Sequence, residues 1–179
     1  MSRPYAAFDI DGTLIRWQLY HALADNLAKH RLLDEVDYQA VKTARMTWKE
    51  RAGENSFDDY EKTLVRVVNR AISNISVAQL KLACEEVMSE YRDQVYTFSR
   101  DLINELKAKK YLLFAISGSQ QEVVEMLAQY YGFDDWAGTI YETRDGQYTG
   151  KSLPLRSNRK QEVLEQLIKK HAAIQEGSL

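Results

Sequence analysis

The chain has 179 residues, 45% of them hydrophobic and 28% charged, with 24 basic against 26 acidic side chains and a net charge of −2. That suits one globular domain, or a core carrying an inserted subdomain. The charge gives no reason for a nucleic-acid or anionic-membrane partner, no apolar run spans a bilayer, and the N-terminus lacks a signal-peptide core, so a cytoplasmic protein is expected.

Tyr5 to Asp9 is a short apolar run of strand type. Two carboxylates, Asp9 and Asp11, and then Gly12-Thr13 follow from it. A strand that splays into a loop here would bring both carboxylates to one point at its carboxyl end, where open α/β sheets place their ligands. Two carboxylates that close repel unless a proton or a cation lies between them, and Mg2+ is the hard cation that fits oxygen ligands. A calcium loop of the EF-hand type fails on spacing, because Gly12 comes too early and no run of oxygen ligands follows.

From Trp17 to about Tyr91 the texture is helical. Trp17, Leu19, Tyr20, Leu23, Leu27 and Leu32 recur at helical spacing, and Val36, Tyr38, Val41, Met46 and Trp48 continue the pattern over 35–50. Gly53 to Ser56 interrupts it, with Ser56 and Asp59 as an N-cap pair for a helix over Phe57 to Ile72. Ser76 and Gln79 form a capping box for a fourth helix through Leu80, Ala83, Val87 and Tyr91. Four successive helices read as a bundle. The single cysteine, Cys84, falls on the last of them and is expected to be a packed thiol. His21, His30 and His171 lack companions at metal spacing and read as core or surface residues.

Ser99 to Lys109 is the next helix, and Tyr111 to Ile116 is a continuous apolar run, as in a buried parallel strand. Ser119 with Glu122 reads as a capping box for a helix that ends near Tyr131, with Gly132 as its C-cap. Gly138 to Thr143 is a third strand candidate. Asp145-Gly146 is a hairpin turn, and Asn158 with Gln161 caps a last helix. Strand, helical insert, then helix–strand–helix–strand–helix is an α/β layout. The expected domains are a core over 1–16 and 97–179 and a helical cap over 17–96.

Asp9-x-Asp11-Gly12-Thr13 behind an apolar strand, Ile116-Ser117-Gly118-Ser119 behind a second one, and Lys160 at the opening of the last helix together resemble the haloacid dehalogenase superfamily, in its phosphoserine phosphatase-like branch. The resemblance implies a Rossmann-like parallel sheet core with an inserted helical-bundle cap. It implies a Mg2+-dependent phosphatase acting through an aspartyl-phosphate on a small phosphorylated metabolite. Asp9 would be the nucleophile and Asp11 the general acid and base, with Mg2+ on the Asp9 carboxylate and the Asp11 carbonyl. Ser117 and Gly118 would bind phosphate, and Lys160, chosen among Lys151, Arg156, Arg159 and Lys160, would neutralise charge. Trp17 and Gln18 are the substrate-contact candidates.

Two departures stand out. Gln18 occupies the position where that branch carries an acidic residue for the substrate amine, and Arg66 and Arg70 do not align cleanly with its carboxylate-binding arginine. The family's fourth motif, Gly-Asp-x-x-x-Asp, does not follow Lys160. A shortened form of a longer phosphatase is therefore expected, with Tyr5–Phe8 as an exposed sheet edge open to self-association. A catalytically impaired phosphate-binding or scaffold protein is the alternative, and a phosphotransferase or mutase a third.

Overall fold

The computed structural model describes residues 3–176. Four strands form one sheet in the order β1 (Tyr5–Phe8), β2 (Leu112–Gln120), β3 (Asp135–Arg144), β4 (Gln147–Leu153). The chain divides into two compact units. One comprises the chain up to Gln18, Met88–Ile140 and the chain from Leu153 on; the other comprises Leu19–Val87 and Tyr141–Ser152.

In the core unit β1 pairs in parallel with β2 (Tyr5 opposite Leu112, Phe8 opposite Ala115) and β2 in parallel with β3. Parallel neighbours need covered faces, which explains why β2 is apolar throughout its first half. Leu112, Phe114 and Ile116 share one face and pack with Leu155 and Leu167. Leu167 belongs to the last helix, Lys160–Glu176. Two further helices, Thr97–Ala108 and Gln121–Tyr131, also pack on β2. The second of these ends on Gly132, whose φ of 70° is the left-handed cap that glycine takes without strain. Among the described residues β1 is an edge strand, with Tyr5 47% exposed.

The carboxyl end of β1 runs into a tight loop. Thr13, Leu14 and Ile15 all donate backbone N–H bonds to the Ile10 carbonyl, at 3.2, 2.9 and 3.0 Å. Gly12 adopts φ 73° to allow this. The chain then leaves beside the place where it returns: Arg16 N donates to Gln94 O (2.9 Å) and Tyr96 N to Leu14 O (3.0 Å). An insert whose two ends are bonded side by side leaves the loop geometry intact.

Gly138 shows how tightly β3 approaches β2. A Cβ there would lie 2.8 Å from both Ser119 O and Gln121 Cα and 2.9 Å from Gln121 N, all on or bonded to backbone. Gly138→Ala is expected to destabilise the protein by about 1–3 kcal/mol, as overpacking does. Urea unfolding checks this, and an unchanged midpoint would contradict it.

The second unit is a helical bundle of Leu19–Lys29, Glu35–Lys49, Ser56–Ile72 and most of a fourth helix, Val77–Tyr91, as far as Val87. The Ser76–Gln79 capping box forms as read, with Ser76 N donating to Gln79 Oε1 (2.9 Å) and Gln79 N to Ser76 Oγ (3.2 Å). Three other cap readings are corrected. Asn55, not Ser56, is the N-cap of its helix, and makes no side-chain cap bond. Asn158 lies inside a 3-10 turn, Ser157–Arg159, that precedes the last helix. Gln120, not Ser119, caps Gln121–Tyr131. Asp145-Gly146 does turn the hairpin, with φ 51° and 76°, the double positive φ of a type I′ turn.

His21 is buried, with Nδ1 bonded to Tyr60 Oη at 2.7 Å and Nε2 3.0 Å from Asp25 Oδ2, and with Arg45 also against Nε2. Its role is internal to the bundle. Arg66 and Arg70 approach Asp37 at 3.8 and 3.1 Å, so both arginines face a carboxylate of their own unit.

Glu86 joins the first and fourth helices of the bundle. Its Oε2 meets His30 Nε2 at 2.8 Å, Asn26 Nδ2 at 2.9 Å and Lys29 Nζ at 3.5 Å. The hydrogen bond from His30, then that from Asn26, holds its carboxyl at about 2 against an ordinary 4.5. A depressed carboxyl adds stability above the unfolded-state value and loses it as pH falls through the folded one. Glu86→Gln should therefore flatten the fall in stability between about pH 4.5 and about pH 2. Parallel wild-type and variant curves over that interval, from urea titrations, would contradict this.

Candidate active site

The candidate residues of the core unit come from three separated segments. Asp9 and Asp11 leave the end of β1, Ser117, Gly118 and Ser119 lie near the carboxyl end of β2, and Lys160 is the first residue of the last helix. β2 is irregular here. Ile116 stands opposite Ala137 but Gln120 opposite Thr139, so extra residues bulge from β2 between them. A bulge next to the carboxyl end of a strand re-aims side chains, and these are the two serines.

Lys160 Nζ donates to Asp9 Oδ1 at 2.7 Å, and Ile10 N donates to the same oxygen at 2.9 Å. One oxygen of Asp9 is thus anchored and the carboxylate stays 43% exposed. The cation sits in the first turn of a helix, opposed by the dipole, and Asp9 is the anion that offsets this. Of the other cations weighed, Lys151 lies 3.8 Å from Glu142 and Arg159 3.3 Å from Glu162.

Asp11 is held from the opposite side. Ser117 Oγ donates to Asp11 Oδ2 at 2.6 Å and Ser119 Oγ to the same oxygen at 2.9 Å. Ser119 N in turn donates to Ser117 Oγ at 2.9 Å, and both serines are buried. Ser119 is therefore part of this constellation and not a helix cap. The missed signal is parity. If β2 continues past Ile116, residues 117 and 119 are alternate positions of one strand, and their side chains share a face.

Gly118 O accepts from Thr139 Oγ1 (2.8 Å), whose hydroxyl oxygen accepts from Leu155 N (3.1 Å). A Cβ on Gly118 would lie 3.3 Å from Leu155 O, so glycine keeps the segment that leads to Lys160 close to the serines. Trp17 and Gln18 follow the Asp11 loop at half-buried positions, and Trp17 O accepts from Gly12 N at 3.3 Å.

The site is a pair of fixed carboxylates, a hydroxyl pair and one ammonium at the carboxyl ends of parallel strands. Residues 6–179 match the family model of haloacid dehalogenase-like hydrolases. The chain belongs to that family. Solved structures agree on the fold of this haloacid dehalogenase-like hydrolase. A Bordetella pertussis Tohama I protein of unknown function superposes with a TM-score of 0.64 at 23% identity, over 86% of this chain and 67% of its own. A substrate-bound phosphoserine phosphatase complex gives 0.62 at 20% identity, over 96% and 73%. The phosphoserine phosphatase of T. onnurineus gives 0.53 at 20%, over 93% and 70%. No curated protein matches the chain.

The family implies a divalent cation. Among the described residues, no group of three or more Asp, Glu, His or Cys side chains is placed to share one. Mg2+ is commonly held by one or two carboxylates together with substrate phosphate and water. The adjoining Asp9 and Asp11 supply that smaller donor set, and it fits. None of the described helices is long and apolar enough to cross a membrane.

Proposed function

We propose that the chain is a Mg2+-dependent phosphomonoester hydrolase that works through an aspartyl-phosphate on a small phosphorylated metabolite. The observation that carries this reading is the split of roles between the two carboxylates. Asp9 is anchored through one oxygen by Lys160 and Ile10 N, while Asp11 is gripped by hydroxyls. Unequal surroundings are what allow one carboxylate to act as nucleophile and its neighbour as acid and base.

Asp9 Oδ2 would attack phosphorus as the bond from phosphorus to the ester oxygen breaks. Asp11 would give its proton to that leaving oxygen. In the second half, water attacks the aspartyl-phosphate, its proton passes to Asp11, and Asp9 returns as a carboxylate with inorganic phosphate released. Lys160 offsets the charge gathered on Asp9 and the phosphoryl oxygens, and Ser117 with the Gly118 backbone binds those oxygens. Asp9 and the Asp11 carbonyl would hold Mg2+, which supplies further charge neutralisation when bound. Trp17 and Gln18 are the proposed contacts to the rest of the substrate, whose uncharged Gln18 partner disfavours phosphoserine. The core over 1–16 and 97–179 would be the catalytic domain and 17–96 its cap. The reading includes a cytoplasmic location and strand addition on the edge of β1 as the route to self-association.

Phosphate release over a panel of small phosphomonoesters in Mg2+ tests this reading, and no release on any member would refute it. The small acidic donor set favours one second reading, a phosphate-binding protein without turnover. Calorimetric binding of inorganic phosphate with no hydrolysis of the panel would select it.

A further inference from the structure

Two hydroxyls converge on a single oxygen of Asp11, and one of them has a second duty. Ser117 Oγ carries one proton, which it donates to Asp11 Oδ2, while its lone pair accepts from Ser119 N. It cannot also donate to a phosphoryl oxygen while that bond stands. Once a phosphoryl group arrives, the Ser117 proton must turn from Asp11 toward it. Ser119 Oγ has its own bond to Asp11 Oδ2, at 2.9 Å, and that bond survives the switch. Ser119 is also rigidly placed. It is 2% exposed, and its carbonyl lies where a Cβ on Gly138 would come within 2.8 Å.

We propose that Ser119 is the positioning residue that holds Asp11 in place for proton delivery after Ser117 has been drawn to the phosphoryl group. The inference rests on the phosphatase reading given above and assigns within it a residue that touches neither substrate nor phosphorus. Loss of this hold leaves phosphoryl binding in place and misaligns the acid. The penalty must therefore grow with the need of the leaving oxygen for a proton: large for an alkyl phosphate, small for a nitrophenyl phosphate, whose phenolate departs without help.

The test is kcat/KM of wild type, Ser119→Ala and Ser119→Thr on an alkyl and a nitrophenyl phosphomonoester, each pair measured on one preparation. The ratio of the two values cancels any difference in folded fraction. Wild-type turnover of both substrates tests the phosphatase reading by itself. Ser119→Ala is expected to lower the alkyl-to-aryl ratio about 10-fold or more, a part of the roughly 10²–10⁴-fold that a positioned acid contributes in full, and Ser119→Thr to restore most of it. A Ser119→Ala ratio equal to wild type overturns the proposal, whatever the absolute loss. So does a loss in Ser119→Thr as large as in the alanine variant.

Discussion

Replacing Asp9 by asparagine is expected to lower phosphate release by about 10³-fold or more, the scale on which removal of a covalent nucleophile is felt. The substitution is nearly isosteric. An amide oxygen can still accept the bonds that Ile10 N and Lys160 Nζ make at 2.9 and 2.7 Å, so the loop should keep its shape. What disappears is the second oxygen with its charge. Thermal unfolding of the variant should stay close to that of wild type. Activity within tenfold of wild type would mean that another group takes the phosphoryl.

Lys160→Met carries the second large effect. Methionine keeps most of the stem and removes the ammonium. In the proposed mechanism the ammonium would face Asp9 and a phosphoryl group together. A charge pair about 4 Å apart at an effective dielectric near 20 is worth about 4 kcal/mol, and removal of one preorganised charge-stabilising donor typically costs about 10²–10³ in kcat. The same pair adds little to folding, because Asp9 is 43% and Lys160 30% exposed, and exposed pairs contribute about 0–1 kcal/mol. The variant should therefore fall about 10²–10³-fold in kcat with an almost unchanged midpoint in urea. A large loss of stability with kcat preserved would recast Lys160 as a structural clamp.

Legibility followed sequence distance. Asp9, Asp11 and Gly12 lie within four positions of one another, and the strand-to-loop transition that joins them is a local property of the chain. The bundle was legible for the same reason: helical periodicity and the Ser76–Gln79 box are read within single turns. The junction of Lys160 with Asp9 spans 151 positions. No spacing rule encodes it, only the resemblance selected Lys160 among four basic residues, and only the fold brings it within 2.7 Å of the carboxylate. Ser119 was missed because the apolar run ends at Ile116. The strand persists to Gln120 through its bond partners and a bulge, with no hydrophobic signal. Asp34, which caps the second bundle helix by accepting from Val36 N and Asp37 N, also went unread, since Asp37 and not Glu or Gln stands three positions on, which leaves the capping box incomplete. The hairpin arm Tyr141–Ser152 joined the helical unit for a related reason. Its attachments, such as Val77 N to Gly146 O at 3.0 Å and Tyr141 Oη to Asn69 Oδ1 at 2.6 Å, are long-range polar bonds that leave no trace in periodicity.

The proposed mechanism requires that Asp9 become covalently phosphorylated. Acid quenching of the protein during turnover of a radiolabelled phosphomonoester in Mg2+, followed by peptide mapping, tests it directly. One acid-stable, alkali-labile phosphoryl group is expected on the peptide that contains Asp9, absent from Asp9→Asn. Turnover with no trapped label, or label on a peptide without Asp9, would contradict it.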